Sequence, residues 1–286
     1  MIGHESCGSD CASFRYATRR MTPKTLEESA AAPDGRRQRK QTKVIIVLPA
    51  YNEERNIGGL LDRMIDALED EQLLYEGIIV DDDSSDRTSG VIERYHEHLP
   101  VTLYRHEVNQ GLGATIRDGL YLASKAAGDN DIVITMDADE THTPGLILRM
   151  VRMVREGCDV VIASRYQPGA RVVGVSLFRR FLSFGASMLF RIFFATSGVR
   201  DFTCGYRAYR GSVLHQAIAT YGDQFVEASG FQCMVDILLK LRQLDVVFGE
   251  VPLILRYDLK QGRSKMLIVR TIRDSLDLLV RRRFGR

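Results

Sequence analysis

Two aspartates, Asp137 and Asp139, stand one residue apart soon after the apolar run Ile132-Val133-Ile134. Carboxylates at positions i and i+2 beyond a buried strand can present oxygen ligands to a hard divalent cation, either Mg²⁺ or Mn²⁺. A cation held there would bridge bound phosphates and stabilise the charge that builds up on a diphosphate leaving group. Pairs of this spacing also occur in turns and helix N-caps, so the pair alone leaves both interpretations open.

Further polar clusters follow two other apolar runs, at Pro49 to Glu53 and at Asp81 to Asp86. Asp82 and its neighbours could accept hydrogen bonds from a nucleobase or from ribose hydroxyls, although a solvated turn would have the same composition. The acidic run lacks the glycine and the glutamate of an EF-hand loop, which argues against calcium. Asn109-Gln110-Gly111-Leu112-Gly113, before a predicted helix, could let backbone amides approach a phosphate or ribose, but it matches neither GxGxxG nor the P-loop pattern.

These clusters fall at the ends of predicted strands. Continuous apolar runs predict buried strands, and apolar residues at helical spacing predict the helices between them. Such alternation indicates an α/β protein with a mostly parallel central sheet and helices on both faces, and ligands bind such sheets beyond the carboxyl ends of the strands. The predicted strands are 44–48, 78–80, 101–104, 132–134 and 160–162, and the predicted helices are 57–68, 89–96, 112–127 and 144–155.

Composition limits the classes of protein to consider. The 286 residues are 45% hydrophobic and carry a net charge of only +2, which gives no support for nucleic-acid binding. Residues 1–42 lack an apolar run and predict a disordered basic and polar tail, which leaves 43–286 as one domain. Without a signal-peptide core or a CxxC pair, the sequence favours a reducing, cytoplasmic location.

The segment from about 175 to 196 is dense in Phe, Leu, Met and Ile but is interrupted by Arg179, Arg180 and Arg191. This composition predicts an amphipathic helix lying at a membrane surface, although a core helix with surface arginines is an alternative. Residues 264–286 predict a basic C-terminal helix, and its Arg281-Arg282-Arg283 end could contact anionic lipid or could simply be solvated.

From Lys43 onward the chain resembles family 2 glycosyltransferases, and within them the dolichol-phosphate and polyprenyl-phosphate mannose synthases. The order and spacing of several motifs carry the resemblance. They are Pro49-Ala50-Tyr51-Asn52-Glu53, Val80-Asp81-Asp82-Asp83-Ser84, Gly111-Leu112-Gly113-Ala114, Asp137-Ala138-Asp139, Ala163-Ser164-Arg165-Tyr166, Asp201-Phe202-Thr203-Cys204-Gly205-Tyr206-Arg207 and Gly262-Arg263-Ser264-Lys265.

The resemblance implies a GT-A fold and a set of site residues. Arg165 and Lys265 would neutralise phosphates, and Arg165, Arg179 and Ser183 would bind an acceptor phosphate. The nucleoside would be held by Pro49, Tyr51, Glu53, Val80 and Asp82, and the diphosphate and metal by Asp137, Ala138 and Asp139.

The sequence departs from the family pattern at two positions. Thr141 stands where some relatives have a third metal ligand, with Glu140 and His142 as adjacent candidates. Leu259 replaces an arginine expected before the Gly262 turn, which leaves Arg256, Lys260 or Arg263 to supply the charge, and we favour Arg256.

The implied reaction is inverting transfer of a sugar, with mannose from GDP-mannose as the best guess, onto a polyprenyl phosphate at the cytoplasmic face of a membrane. An anionic phosphate needs no general base, whereas a hydroxyl acceptor would, and Glu227 could serve. The alternatives are a transferase with a UDP-sugar donor and a hydroxyl acceptor, and a non-catalytic nucleotide-sugar-binding subunit. A membrane-anchoring partner protein is a further expectation.

Overall fold

The computed structural model of the protein describes residues 41–69, 71, 73–261, 277 and 280. Their elements alternate between strand and helix through the first half and become irregular in the second. A 3₁₀ turn over Gly222–Val226 separates the last two helices. In chain order the elements are β1 (Lys43–Ala50), α1 (Ile57–Glu69), β2 (Leu74–Asp81), α2 (Thr88–Glu93), β3 (Val101–Arg105), α3 (Leu112–Ala126), β4 (Ile132–Thr135), α4 (Leu146–Arg155), β5 (Val160–Ser164), β6 (Arg171–Val173), α5 (Leu177–Phe193), β7 (Arg207–Arg210), α6 (Gly211–Tyr221), α7 (Cys233–Leu241), β8 (Phe248–Pro252) and β9 (Ile254–Arg256).

Seven strands form a central sheet in the order β3-β2-β1-β4-β7-β5-β8. All neighbouring pairs are parallel except those of β7, which runs antiparallel between β4 and β5. The centre of the sheet is apolar: Val44 to Leu48 of β1 are wholly buried, as expected for a strand covered on both faces. The carboxyl ends of β1, β2, β4 and β5 therefore share one edge with the start of β7.

Helices pack against this sheet through their apolar positions. In α1 the buried side chains are Ile57, Leu60, Leu61, Met64 and Leu68, which recur at helical spacing. Helix α3 lies so close to β1 that a Cβ added at Gly119 would come within 2.4 Å of the Val47 side chain. The small residue is therefore what allows this helix to approach the strand.

The five strands and four helices predicted between residues 44 and 162 are all confirmed, with ends shifted by a few residues. A helix is also confirmed over most of the segment 175–196. Strands β6 to β9 and helices α6 and α7 were not predicted. Among the described residues no helix combines the length and apolarity needed to cross a bilayer. The predicted tail lies outside the described residues apart from 41 and 42, and the predicted C-terminal helix lies outside them apart from 277 and 280.

Candidate active site

The aspartate pair follows β4 at the carboxyl edge of the sheet, where the Met136 amide still bonds to Val47 of β1. Glu140 has a positive φ of 64°, which turns the chain sharply after Asp139. One oxygen of Asp139 accepts hydrogen bonds from the amide (3.1 Å) and hydroxyl (2.7 Å) of Thr141. The other oxygen accepts a hydrogen bond from the Lys260 ammonium. The turn thus holds the Asp139 carboxylate in a fixed orientation.

The surroundings shift the two carboxyl groups in opposite directions. Burial raises the pKa of Asp137, and the nearby charges of Asp139 and Glu53 add to that rise, while the charge of Lys260 opposes it. Burial would also raise the pKa of Asp139, but Lys260 and the hydrogen bond from Thr141 lower it overall. Asp139 is therefore the carboxylate that stays ionised most readily, and a cation beside Asp137 would favour its ionised form as well.

His142 positions Asp137. The Asp137 amide donates to Nδ1 of His142 at 3.1 Å, so this ring nitrogen is an acceptor and the neutral ring carries its proton on Nε2. Nε2 lies 3.8 Å from Oδ2 of Asp137, and the ring is buried and stacked on Tyr206. A protonated Nε2 has no lone pair for a metal, so this geometry favours an orienting role for His142.

The other two candidates for a third metal ligand, Glu140 and Thr141, have different partners. Glu140 forms an ion pair with Arg63 of α1 at 3.0 Å. The buried Thr141 hydroxyl donates to Asp139 and keeps its lone pairs. Within the described part of the chain, no group of three His, Cys, Asp or Glu side chains is arranged to hold a metal ion. The residues present fit a site in which two carboxylates share a cation with phosphate and water oxygens.

The loop after β1 is tied to the loop after β2. The Asn52 carboxamide oxygen accepts hydrogen bonds from the amides of Ser85 (2.8 Å) and Asp86 (3.3 Å), and Thr88 accepts one from the amide of Glu53 (2.8 Å). Asn52 has a φ of 51°, a left-handed conformation that asparagine tolerates. These contacts leave the ring of Tyr51 39% exposed at the edge of the site.

Asp82 has internal partners on three sides. Its carboxylate accepts hydrogen bonds from His106 at 2.7 Å and from the amides of Gln110 and Gly111, each at 2.8 Å. The Gly113 amide donates to the Ser229 carbonyl at 3.0 Å. The prediction that the amides of the Gly111-Leu112-Gly113 turn approach a ligand is therefore wrong for Gly111 and Gly113, because protein acceptors already take both N–H groups. Direct contact of Asp82 with a nucleoside stays a prediction.

Arg165, at the end of β5, is held by Asp201. The guanidinium donates to both Asp201 oxygens, from Nε at 2.8 Å and from NH2 at 2.7 Å, and the Arg165 amide adds a third contact at 3.0 Å. A further guanidinium N–H reaches the Ser183 hydroxyl on α5 at 3.1 Å, and Thr203 accepts another at 2.5 Å. Arg165 thus joins the sheet edge to α5.

The motif from Asp201 to Arg207 connects this arginine to the aspartate pair. A Cβ added at Gly205 would lie 3.5 Å from an oxygen of Asp137, and the Gly205 carbonyl accepts a hydrogen bond from Thr135 of β4 at 2.7 Å. The short stretch between Asp201 and Gly205 therefore spans the separation between Arg165 and Asp137.

The structure gives less support to the other predicted site residues. Pro49, Val80 and Ala138 are buried, so each can offer a ligand little beyond its backbone. Arg256 pairs with Asp258, two residues later, at 2.8 Å, so a protein carboxylate already binds its half-exposed guanidinium. The side chain of Arg179 and all of Lys265 lie outside the described residues, so their predicted roles stay predictions.

Two contributors were not predicted as site residues. Asn56 is buried and exchanges two hydrogen bonds with the backbone of Gln261, while its amide also reaches Glu53 at 2.6 Å. Asp201 lies within a quoted motif but was given no role. No local signal identifies either residue, because Asn56 meets Gln261 across 205 residues and Asp201 meets Arg165 across 36 residues of sequence.

A mostly parallel sheet places an aspartate pair, an exposed tyrosine ring and an arginine beyond its carboxyl edge, which is where α/β proteins bind their ligands. Residues 45–217 match the description "Glycosyl transferase family 2", and the chain belongs to that family.

Named relatives and a solved structure agree with this assignment. The chain is 34% identical to a dolichol-phosphate mannosyltransferase of Pyrococcus furiosus over 73% of its own length and 55% of the relative, so it spans about half of that protein. It is 32% identical to an undecaprenyl-phosphate mannosyltransferase of Micrococcus luteus over 78% of itself and 87% of the relative. The fold resembles glucosyl-3-phosphoglycerate synthase of Mycobacterium tuberculosis, solved with Mn²⁺, uridine diphosphate and product, with a TM-score of 0.58, 20% identity, and coverage of 86% and 81% of the two chains.

Proposed function

We propose that this protein transfers mannose from a nucleoside diphosphate donor to a polyprenyl phosphate at a membrane surface. The names of the two relatives provide the acceptor class and the sugar. Both are matched over more than two thirds of this chain. We propose GDP as the nucleotide of the donor, as the sequence resemblance implies.

The observation that carries the proposal is the position of Arg165. Its guanidinium bridges Asp201 and Ser183 of α5, and the 201–205 stretch leads directly to Asp137. The hydroxyls of Ser183 and Thr203 accept hydrogen bonds from it, and the Tyr166 hydroxyl lies 3.3 Å from that of Ser183. Asp201 pairs with the Nε and NH2 groups, whereas NH1 faces Ser183, and this end of the guanidinium would bind a phosphate monoester beside a donor diphosphate.

Helix α5 supports a membrane-surface location. Its Ser187 and Phe190 are buried against the protein, whereas Phe184, Met188 and Ile192 are 50, 45 and 64% exposed. Leu189 and Phe193 extend the same apolar surface. An exposed apolar helix face that begins at the Arg165 contact is suited to receive a prenyl chain and the bilayer in which it is embedded.

The residues then divide the chemistry as follows. Asp137 and Asp139 would hold the divalent cation, which supplies charge stabilisation for the leaving diphosphate. Arg165 and Ser183 would hold the acceptor phosphate, so that one of its oxygens forms the bond to the sugar C1 while the C1–O bond to the diphosphate breaks. The electron pair of the broken bond leaves with the nucleoside diphosphate. Because the attacking oxygen is already anionic, no protein base is required.

Nothing in the geometry of Glu227 favours the alternative with a hydroxyl acceptor. Its carboxylate accepts a hydrogen bond from Lys240 at 2.9 Å, and Lys240 also pairs with the buried Asp236. One oxygen of the Glu227 carboxylate is therefore already engaged by a protein ammonium. We therefore retain the phosphate acceptor, and we retain a membrane-anchoring partner only as a prediction from the sequence.

The test is a radiolabelled transfer assay with GDP-mannose, UDP-glucose and related donors, Mg²⁺ or Mn²⁺, and a short polyprenyl phosphate in detergent. We expect label in the lipid phase from one donor, dependent on the metal and lost in Asp139→Ala. Asp159→Asn, which alters an aspartate–arginine pair at the amino end of β5, is the matched control and should transfer normally. Donor hydrolysis with no lipid product would refute the phosphate acceptor.

A further inference from the structure

Lys260 lies in the segment that follows β9 and reaches the aspartate pair from 121 residues further along the chain. Its ammonium donates a hydrogen bond to one oxygen of Asp139. Only 10% of the Lys260 side chain and 14% of the Asp139 side chain are exposed. A long lysine side chain buried to this extent is held in one place rather than sampling solvent.

The protein fixes the backbone on both sides of Lys260. Before it, the Arg256 amide donates to the Thr141 carbonyl at 2.9 Å, which places β9 directly against the turn after Asp139. After it, Gln261 exchanges hydrogen bonds with the Asn56 carboxamide at 2.9 and 3.2 Å. The anchored backbone on both sides of Lys260 therefore positions its ammonium at Asp139.

The Asp139 carboxylate has little capacity left for another cation while Lys260 is in place. One oxygen accepts both Thr141 donors, and the other is the oxygen that Lys260 binds. A divalent cation coordinated through that oxygen would lie within a few ångströms of the ammonium. Repulsion between like charges at such separation in a partly buried site is strong, so the two cations exclude each other.

We propose that Lys260 is a built-in counter-ion that occupies the cation position at Asp139 and must be displaced when a divalent metal binds. This inference rests on the proposed function, because it assumes that Asp139 is a metal ligand. In the absence of metal, Lys260 neutralises a carboxylate that would otherwise be buried beside Asp137 without a counter-charge. When donor phosphates arrive, they offer the released ammonium another anionic partner, so metal and donor should bind cooperatively.

The first test measures Mn²⁺ binding to the protein alone, without nucleotide or lipid, from the electron paramagnetic resonance signal of free Mn²⁺. Lys260→Met removes the competing charge and should bind Mn²⁺ at least about tenfold more tightly than wild type. Lys260→Arg keeps a cation at the same position and should not show this gain. Equal or weaker Mn²⁺ binding by Lys260→Met would overturn the proposal.

The second test uses the unaltered chain, which removes any concern about folding of the variants. Mn²⁺ should increase the rate at which a water-soluble acylating reagent modifies Lys260, measured by mass spectrometry of peptides. Lys43, which pairs with Glu76 at 3.0 Å far from the aspartate pair, is the internal control and should react at the same rate with and without Mn²⁺. Unchanged Lys260 reactivity at saturating Mn²⁺ would refute displacement.

These outcomes separate the inference from the proposed function. If neither wild type nor Lys260→Met binds Mn²⁺, the metal site itself is wrong. If both bind it equally and transfer to lipid proceeds, only the role of Lys260 is wrong.

Discussion

Replacing Asp201 with asparagine tests whether its carboxylate positions Arg165. Asp201 is wholly buried, and it receives two side-chain hydrogen bonds and one backbone hydrogen bond from Arg165. It also accepts amide hydrogen bonds from Thr203 and Cys204 at 3.2 and 3.1 Å. Asparagine has the shape of aspartate but no charge. Both Asp201 oxygens accept hydrogen bonds, so whichever way the carboxamide points, its NH₂ group would face hydrogen-bond donors.

The size of the effect follows from burial. Removing one partner of a buried ion pair costs about 3–5 kcal/mol, and because 20% of the Arg165 side chain is exposed we expect a loss near the lower end, about 3 kcal/mol. Urea unfolding at neutral pH measures it. A guanidinium without its partner should also bind the acceptor phosphate less precisely, so kcat/KM for the lipid should fall by at least about tenfold.

The pH dependence provides an independent check. Burial would raise the pKa of Asp201, but Arg165 lowers it below its ordinary value. A carboxyl group with a depressed folded-state pKa contributes stability that is present above its unfolded pKa, about 3.9, and is lost as the pH falls through the folded pKa. The difference in unfolding free energy between wild type and Asp201→Asn should therefore be constant from about pH 5 to 8 and shrink at lower pH.

Asp159→Asn is the matched control for stability and activity. Asp159 pairs with Arg210 at 2.9 Å and accepts the Val247 amide at 2.9 Å, at the opposite end of β5 from Arg165. We expect it to lose about 2 kcal/mol of stability and to keep the acceptor KM of wild type. A loss below about 1 kcal/mol in Asp201→Asn, or an unchanged kcat/KM in that variant, would refute the reasoning.

Three further outcomes are expected. Asp82→Asn replaces the carboxylate that accepts hydrogen bonds from two loop amides. The donor KM should therefore rise about tenfold in steady-state assays, with kcat little changed. An unchanged KM would contradict this. Gly113→Ala would place a Cβ 2.0 Å from the Ala228 carbonyl oxygen, so its unfolding free energy should fall by about 3 kcal/mol or more in chemical denaturation. Gly90→Ala, with nothing within 4 Å of its Cβ, is the control, and its unfolding free energy should rise by about 0.5–1 kcal/mol. Ile192→Ser should reduce sedimentation with anionic lipid vesicles severalfold without changing the unfolding free energy, since that side chain is 64% exposed.

The sequence was sufficient to locate the carboxyl edge of the sheet. Runs such as Val44 to Leu48 are long, apolar and largely β-branched, and they are wholly buried in the structure. Because parallel strands end at a common edge, the polar residues that follow them must gather there. This argument needs no knowledge of distant contacts, which is why it predicts the placement of Asp137 and Asp139.

Strand β7 could not be predicted in the same way. Its four residues, Arg207 to Arg210, begin and end with a charge. Arg207 is nevertheless fully buried, because its guanidinium donates to the carbonyls of Phe202, Cys204 and Met234. An arginine satisfied by backbone oxygens is indistinguishable in sequence from a solvated one.

The partner of Asp139 shows the other limit. Lys260 is one basic residue among several in its segment, and the sequence analysis favoured Arg256 for the charge near the phosphates. Arg256 instead pairs with Asp258 two residues later, while Lys260 reaches Asp139. Which of two nearby cations points inward depends on how β9 is laid against the Asp139 turn, and no local pattern encodes that.

The antiparallel orientation of β7 determines where the segment 165–206 leaves and rejoins the sheet. Residues 165–206, which include β6 and α5, leave the sheet at the end of β5 and return at the start of β7, and both points lie on the same edge. Residues 165–206 thus form an insertion whose two ends lie side by side. The length of α5 can therefore change without altering the strand order of the central sheet.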